Sequence, residues 1–252
     1  MTNLPSSEEA YSSGLMETSI SLEEALKPSG AAGITPFGGV ILSACLFGHN
    51  FEHLHKRGPN EHPEDLLNGE FWKRHRKMDN ILSNTFMFLP AHLRLPGGIQ
   101  DLNVSFLHMN IHASTICLHQ AAIVTAQNNG IEHCFIAKCQ TRSLMAAGEI
   151  AAAMRLITHR DISYMNSWMG FCLYVAAGVF IQDIMDNSHR DESRNNLEFI
   201  LGALRAIGSK VSFRNSRFEN IISFLYSTIL HMIFLCPSAF NSCQGTSKQD
   251  IL

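Results

Sequence analysis

No two of the seven cysteines stand in C-x-x-C spacing; they fall at positions 45, 117, 134, 139, 172, 236 and 243. That absence excludes a zinc ribbon, a zinc finger and a thioredoxin-like redox motif. An odd count, with a polar and acidic start (MTNLPSSEEAYSSG) in place of a signal peptide, favours a reducing compartment. The cysteines are then expected to serve as small buried apolar residues. An excess of positive charge is also missing. Nineteen Lys and Arg stand against 22 Asp and Glu, a net charge of -3, which excludes a chain that holds nucleic acid by bulk electrostatics. Seventeen glycines and 8 prolines are too few for a collagenous or low-complexity chain. G-x-S-x-G, the P-loop and the dinucleotide fingerprint are absent.

Uninterrupted apolar runs of membrane length are lacking as well. Trp168–Ile181 and Ile221–Cys236 both fall short of the about 20 residues a helix needs to cross a bilayer. The first reads as a buried core helix, and a membrane role is not expected. A tether at Ile221–Cys236 is the competing reading, and carbonate extraction tests it.

What is present is a helical period and enough apolar residue, 46% of the chain, to fill a core. Ser21 and Glu24 predict a short capped helix, broken at Lys27-Pro28-Ser29-Gly30. Thr35-Pro36 opens a longer helix that stops before Gly58-Pro59, and the polar stretch to Asn68 reads as a loop. Asn68 is the expected N-cap of a helix with Phe71, Met78, Leu82 and Leu89 inward. Asp101 or Asn103 caps a helix that is apolar on most sides, which predicts burial among neighbours, and Asn128-Asn129-Gly130 stops it. An alanine-rich helix over about 132–158, the helix of Trp168–Ile181 opened by Asp161 or Asn166, and an amphipathic helix over 191–207 complete the pattern. The last should turn Leu197, Ile200, Leu201 and Leu204 inward. No period-2 alternation with hairpin signals occurs. The expected fold is all-α, a bundle of about eight helices without significant sheet.

Three groups of residues bear on chemistry. His49-Asn-Phe-Glu52-His53 spells H-x-x-E-H, in which His49 and His53 would hold a metal and Glu52 would activate its water. Against it stands the reading of a polar helix end. His108, His112 and His119 pose the same question. His108 and His112 are spaced for chelation, but no carboxylate in the local sequence completes a site, and bonding to backbone carbonyls is the commoner fate of such histidines. Lys73-Arg-His-Arg-Lys77 is a basic run flanked by Glu70 and Asp79; it reads as a solvated helix face, with a partner surface or import signal as the competitor. The acidic residues Asp183, Asp186, Asp191 and Glu192 read as caps.

Several longer strings carry more information in their order than any motif does alone. LPSSEEAY and SLEEAL are followed by TPFGGVILSACLFGHNFEHLHKRGP, NGEFWKRHRKMDNIL, LPAHLRLPGG, FLHMNIHASTICLHQAAI, GEIAAAMRLITHRD and GFCLYVAAGVFIQ. In this order the chain resembles the later part of the middle homology region of fungal zinc-cluster transcription factors, over roughly residues 3–207. The resemblance implies a helical regulatory domain in the nucleus that modulates transcription by RNA polymerase II. It further implies other transcription regulators or a homodimer partner, and a small effector. No catalytic, cofactor or metal residue is carried over. Zinc and sequence-specific DNA binding are implied only for a six-cysteine cluster domain, whose pattern these 252 residues do not contain. A fragment of a longer regulator, or one that has lost its reader, is the corresponding expectation.

Residues 1–207 are thus expected to form the partial regulatory region and 208–252 a divergent apolar tail. Translated non-coding sequence is one account of that tail, which transcript sequencing across the Ile207 codon tests. The alternative function, from a different class, is a helical metal-dependent hydrolase built on His49, Glu52 and His53.

Overall fold

The structure, a computed structural model, describes residues 3–27, 30–56, 58, 61–161, 165–186 and 191–211. The chain divides into a unit of Met1–Ile207 and a second of Gly208–Leu252. The first is described below, with its last helix followed to Val211. The apolar stretch Ile221–Cys236, and with it Cys236 and Cys243, lies outside the described residues.

Eight α-helices are found among the described residues: α1 (Glu8–Ser13), α2 (Leu22–Ala25), α3 (Pro36–His55), α4 (Glu70–Met87), α5 (Leu102–Asn128), α6 (His133–Leu156), α7 (Trp168–Asp186) and α8 (Asp191–Val211). Two short 3-10 turns lie at Gly30–Gly33 and Ala91–Leu93. Extended pairing among the described residues is confined to an isolated bridge between Asn3 and Ser21. The all-α expectation therefore holds.

Most helix ends follow from local chemistry. The Ser21 hydroxyl accepts from the Glu24 N–H, and the Thr35 hydroxyl accepts from the Gly38 N–H with Pro36 in the first turn. Asp101, rather than Asn103, caps α5 by accepting from the Asn103 N–H at 2.8 Å. At the far end of α5, Gly130 adopts φ +66° and lets the Ile131 N–H turn back to the Ala126 carbonyl. The Asn166 side chain accepts from the Trp168 N–H and opens α7.

Three expectations need correction, and one helix was not foreseen. Asn68 does not cap α4: Gly69 takes that place without a side-chain bond, and Asn68 donates instead to Asp65. The polar start of the chain holds α1, capped by Ser7, whose six residues are too few to show a period. On α8 Ile200 is buried, but Leu201 faces solvent. Cys134 is exposed, whereas Cys117, Cys139 and Cys172 are buried as expected.

Helix α5 is the centre of the unit. It packs against α3, α4, α6 and α7, and residues on every side of it are buried, from Val104 and Ser105 to Ile123 and Ala126. α3 comes close because Gly39 has no side chain; a Cβ there would stand 2.9 Å from Leu107 Cδ2. Along the same seam Asn110 donates to Ser43 and Asn50 donates to the Ser114 carbonyl. α7 is long and apolar enough to cross a membrane by length and composition. It packs on α5 and α6, with Met169, Phe171, Leu173, Ala176 and Phe180 buried.

Two apolar clusters stand out among the described residues. One is rich in leucine and joins Leu42 and Leu46 of α3, Met78 and Leu82 of α4, and Leu107 and Ile111 of α5. The other joins Phe71 and Trp72 of α4, Ala122 and Ala126 of α5, and Ile136 and Cys139 of α6.

Candidate functional site

The H-x-x-E-H segment occupies the last turns of α3, and the helix does not bring its three side chains together. His49 and Glu52 are exposed, with His49 beside Cys45 at 3.8 Å. His53 points inward, its ring 5.1 Å from that of Phe71, with both nitrogens buried and unpartnered. A zinc-bound water would need two imidazoles and a carboxylate on one accessible face, and here one imidazole is in the core while the carboxylate is in solvent.

His108 and His112 also part company. The His108 ring bonds the Leu93 carbonyl at 2.8 Å, the expected fate of such a histidine. His112 lies against Phe86 with its Nε2 buried and unpartnered. Burial, with His108 nearby, pushes its pKa down to about 3.

His119 behaves differently. It extends from α5 toward α4, where Asp79 Oδ1 lies 3.3 Å from its Nε2. The carboxylate absent from the local sequence thus arrives from a neighbouring helix. Arg142 of α6 completes the edge of this group, donating to Asp79 and to Ser83. Its Nε lies 3.4 Å from His119 Nε2. One ring nitrogen cannot both donate to Asp79 and accept from Arg142. In the tautomer that donates from Nε2 to the carboxylate, the stronger acceptor, Nδ1 keeps its lone pair. That Nδ1 is buried with no hydrogen-bond partner.

Behind His119 the interior is polar but closed. His75 of α4 meets the His119 ring edge to face at 5.3 Å and is itself enclosed by Phe71, Trp72 and Phe135. Its Nδ1 is also buried and unpartnered. One ring nitrogen from each of His75 and His119 and the Cys139 Sγ lie within 4.8 Å of one another, all three residues being buried. Burial, reinforced by His119, lowers the His75 pKa to about 3. Burial chiefly, with Arg74 adding, lowers that of His53 to about 4. Burial chiefly, with Asp79 adding, raises the Cys139 thiol to about 12. Burial alone would raise Asp79, but the bonds and charges of His119 and Arg142 outweigh it and hold the carboxyl down to about 2. At neutral pH the His75 imidazole is neutral and the Cys139 thiol keeps its proton, beside the Asp79–Arg142 ion pair.

The sequence singled out His53 and His119 but not His75, Asp79, Cys139 or Arg142 as a group. A signal for His75 existed: positions 71, 75, 78 and 82 form one helical stripe, so His75 belongs with the core residues rather than with the basic run. Lys73, Arg74 and Arg76 of that run are engaged in local structure. Arg74 forms a paired bond to Glu61 (3.2 and 2.6 Å), Arg76 donates to the Leu66 and Leu67 carbonyls, and Lys73 bonds Glu70. The guanidinium groups clamp the preceding loop instead of presenting a face to phosphate.

A separate cleft of about 360 Å³ opens where α1, α3 and α5 begin, lined by Pro5, Glu8, Tyr11, Pro36, Phe37 and Asp101. Tyr11 and Phe37 are exposed in it. Its volume lies in the range that holds a small organic molecule.

Comparison with known proteins adds relatives but no family assignment. No family model matches the chain, and no solved structure matches it. The chain is 25% identical over 202 residues to the citrinin biosynthesis transcriptional activator ctnR of Monascus purpureus, covering 78% of this chain and 33% of that protein. It is 27% identical over 163 residues to the citrinin biosynthesis transcriptional activator mrl3 of Monascus ruber, covering 62% of this chain and 30% of that protein. The chain therefore spans about a third of the length of the curated relatives it matches, and both of those relatives are fungal transcriptional activators.

Proposed function

We propose that this chain is a regulatory and interaction module of a fungal transcription factor, acting in the nucleus to modulate transcription by RNA polymerase II. The observation that carries this reading is the long alignment with two transcriptional activators, which takes in most of the chain. The structure supports it from a different direction. A closed helical interior suits a domain that packs, binds and shifts population better than one that turns over substrate, and the residues of the H-x-x-E-H segment stand apart.

DNA reading and its zinc would then belong to a six-cysteine cluster domain of the family architecture rather than to these residues. The partners would be other transcription regulators or a second copy of the chain. A small effector would find room in the cleft between α1, α3 and α5. Its binding would favour one arrangement of those helix starts over another, and it could shift the equilibrium only by its difference in affinity for the two.

The direct test is to fuse the chain to a zinc-cluster DNA reader and measure reporter output in a fungal nucleus. Output that differs from that of the reader alone, and that changes when Tyr11 and Phe37 are replaced by Ala, is the expected result. Output indistinguishable from the reader alone, with the fusion present at equal level, counts against the regulatory role. Alone, the chain should bind DNA weakly and without sequence preference. Nanomolar sequence-specific binding at physiological salt contradicts the reading.

A further inference from the structure

The buried group at His75, His119 and Cys139 has a chemistry that packing alone does not explain. Two imidazole nitrogens in it are buried with no hydrogen-bond partner, one on each ring. Leaving such an atom unpaired in the interior costs about 1–3 kcal/mol. Histidine is a poor choice for an interior that needs only shape, since Leu or Phe would fill the space without that cost. A ligand shared by the two free nitrogens and the neighbouring thiol would remove that cost.

We propose that His75, His119 and Cys139 form a binding site for a zinc-like divalent transition metal that ties α4, α5 and α6 together. Donor identity supports this class of ion: two imidazoles and a thiol select a borderline-to-soft metal over magnesium or calcium. Spacing supports it as well. Donors arranged tetrahedrally around zinc stand about 3.6 Å apart, and the three here already lie within 4.8 Å of one another. An inward movement of well under an ångström per side chain closes the difference.

The surroundings fit a metal in three respects. Asp79 Oδ1 lies 3.3 Å from His119 Nε2, and in the tautomer that donates to it Nδ1 is the nitrogen free to ligate and the imidazole is more basic; a carboxylate behind a histidine is the usual outer partner of a bound zinc. When the ion binds, the Cys139 S–H bond gives way to a sulfur–metal bond and its proton passes to solvent. The thiolate then offsets one of the ion's two positive charges, while Asp79 remains shared between His119 and Arg142 at the rim. Solvent comes nearest at the same rim, where the Asp79 and Arg142 side chains are 28% and 45% exposed.

The test uses the full chain, purified without metal and titrated with cobalt(II) as a spectroscopic probe and with zinc. One cobalt per chain should give a thiolate-to-cobalt charge-transfer band. Zinc should displace the cobalt and raise the thermal midpoint, and magnesium should do neither. Cys139→Ser should abolish the band, Cys134→Ser should keep it, and Asp79→Asn should weaken binding by about tenfold to a hundredfold. If Cys139→Ser fails to fold, the wild-type chain still decides: zinc should slow alkylation of Cys139 at least about tenfold, as mapped by mass spectrometry, and leave Cys134 unchanged. A missing band overturns the assignment, as does a band that survives in Cys139→Ser or an alkylation rate at Cys139 that zinc does not alter.

Discussion

The two ends of the interior are built from the same helices and obey different rules. At the leucine-rich end, Leu42, Leu46, Leu82, Leu107 and Ile111 are almost wholly buried and meet other hydrocarbon. At the other end, the next turns of α3, α4 and α5 bring in His53, His75 and His119 among Phe71, Trp72 and Phe135. The first end is stabilised by removing apolar area from water. The second carries unpaired ring nitrogens on His53, His75 and His119, against that of His112 beside Phe86 in the first, and so gives back part of what its aromatic rings supply. The difference teaches where this unit holds its shape and where it keeps chemical capacity in reserve.

Acid should break the comparison most strongly. His53 and His75 have folded pKa values pushed from 6.5 to about 4 and about 3. Between the two values the unfolded chain binds protons that the folded chain refuses, so unfolding takes up protons. Stability is complete above pH 6.5 and falls as the pH drops toward 4 and then 3, by about 1.4 kcal/mol per pH unit for each proton taken up. Urea unfolding at a series of pH values should show this slope. The double change His53→Leu with His75→Leu should remove a large part of it, leaving the shares of His112 and His108. Asp79 adds a further loss of the same sign below its ordinary value of 3.8, as its folded pKa of about 2 is approached.

Leu107→Ala comes next in size. Leu107 is fully buried against Gly39 at the leucine-rich end, and its removal should cost about 2–5 kcal/mol in urea unfolding without altering the acid slope. A loss below about 1 kcal/mol would mean that this end is loosely packed. Trp72→Phe is smaller. It deletes the bond from the indole N–H to the Pro63 carbonyl at 2.8 Å and should cost about 1–2 kcal/mol, seen as a lower thermal midpoint.

The smallest effect sharpens the contrast by its sign. His53→Leu removes two unpaired nitrogens, so at pH 7 the metal-free protein should be unchanged or gain about 1 kcal/mol. A loss above about 2 kcal/mol would show that the His53 ring takes part in a bond or contact of its own.

The leucine-rich end was legible in the sequence because its residues repeat at helical intervals; spacing alone turns Met78, Leu82 and Leu89 inward, and all are buried. Thr35-Pro36 and Asn128-Asn129-Gly130 marked their helix ends for the same reason, since caps act on neighbours in the chain. The histidine end was not legible. His75 is five residues from Glu70 and sits between two arginines, so its charge neighbours concealed its phase. Asp79, His119 and Arg142 come from three helices and are joined only by tertiary packing, which local spacing does not encode. H-x-x-E-H misled in the opposite way: adjacency in the chain suggested a shared face, but solvent took His49 and Glu52 while the core took His53.

Helix α5 has a consequence of its own. At 1.5 Å per residue its 27 residues form a rod about 40 Å long, flanked on all sides and holding both ends of the interior at once. Sliding it by a single residue would swing its side chains by about 100° and expose hydrocarbon along the whole length. It therefore acts as a fixed axle. Any signal crossing this unit must travel by tilting the shorter pieces around that axle, because the axle has no small step available to it.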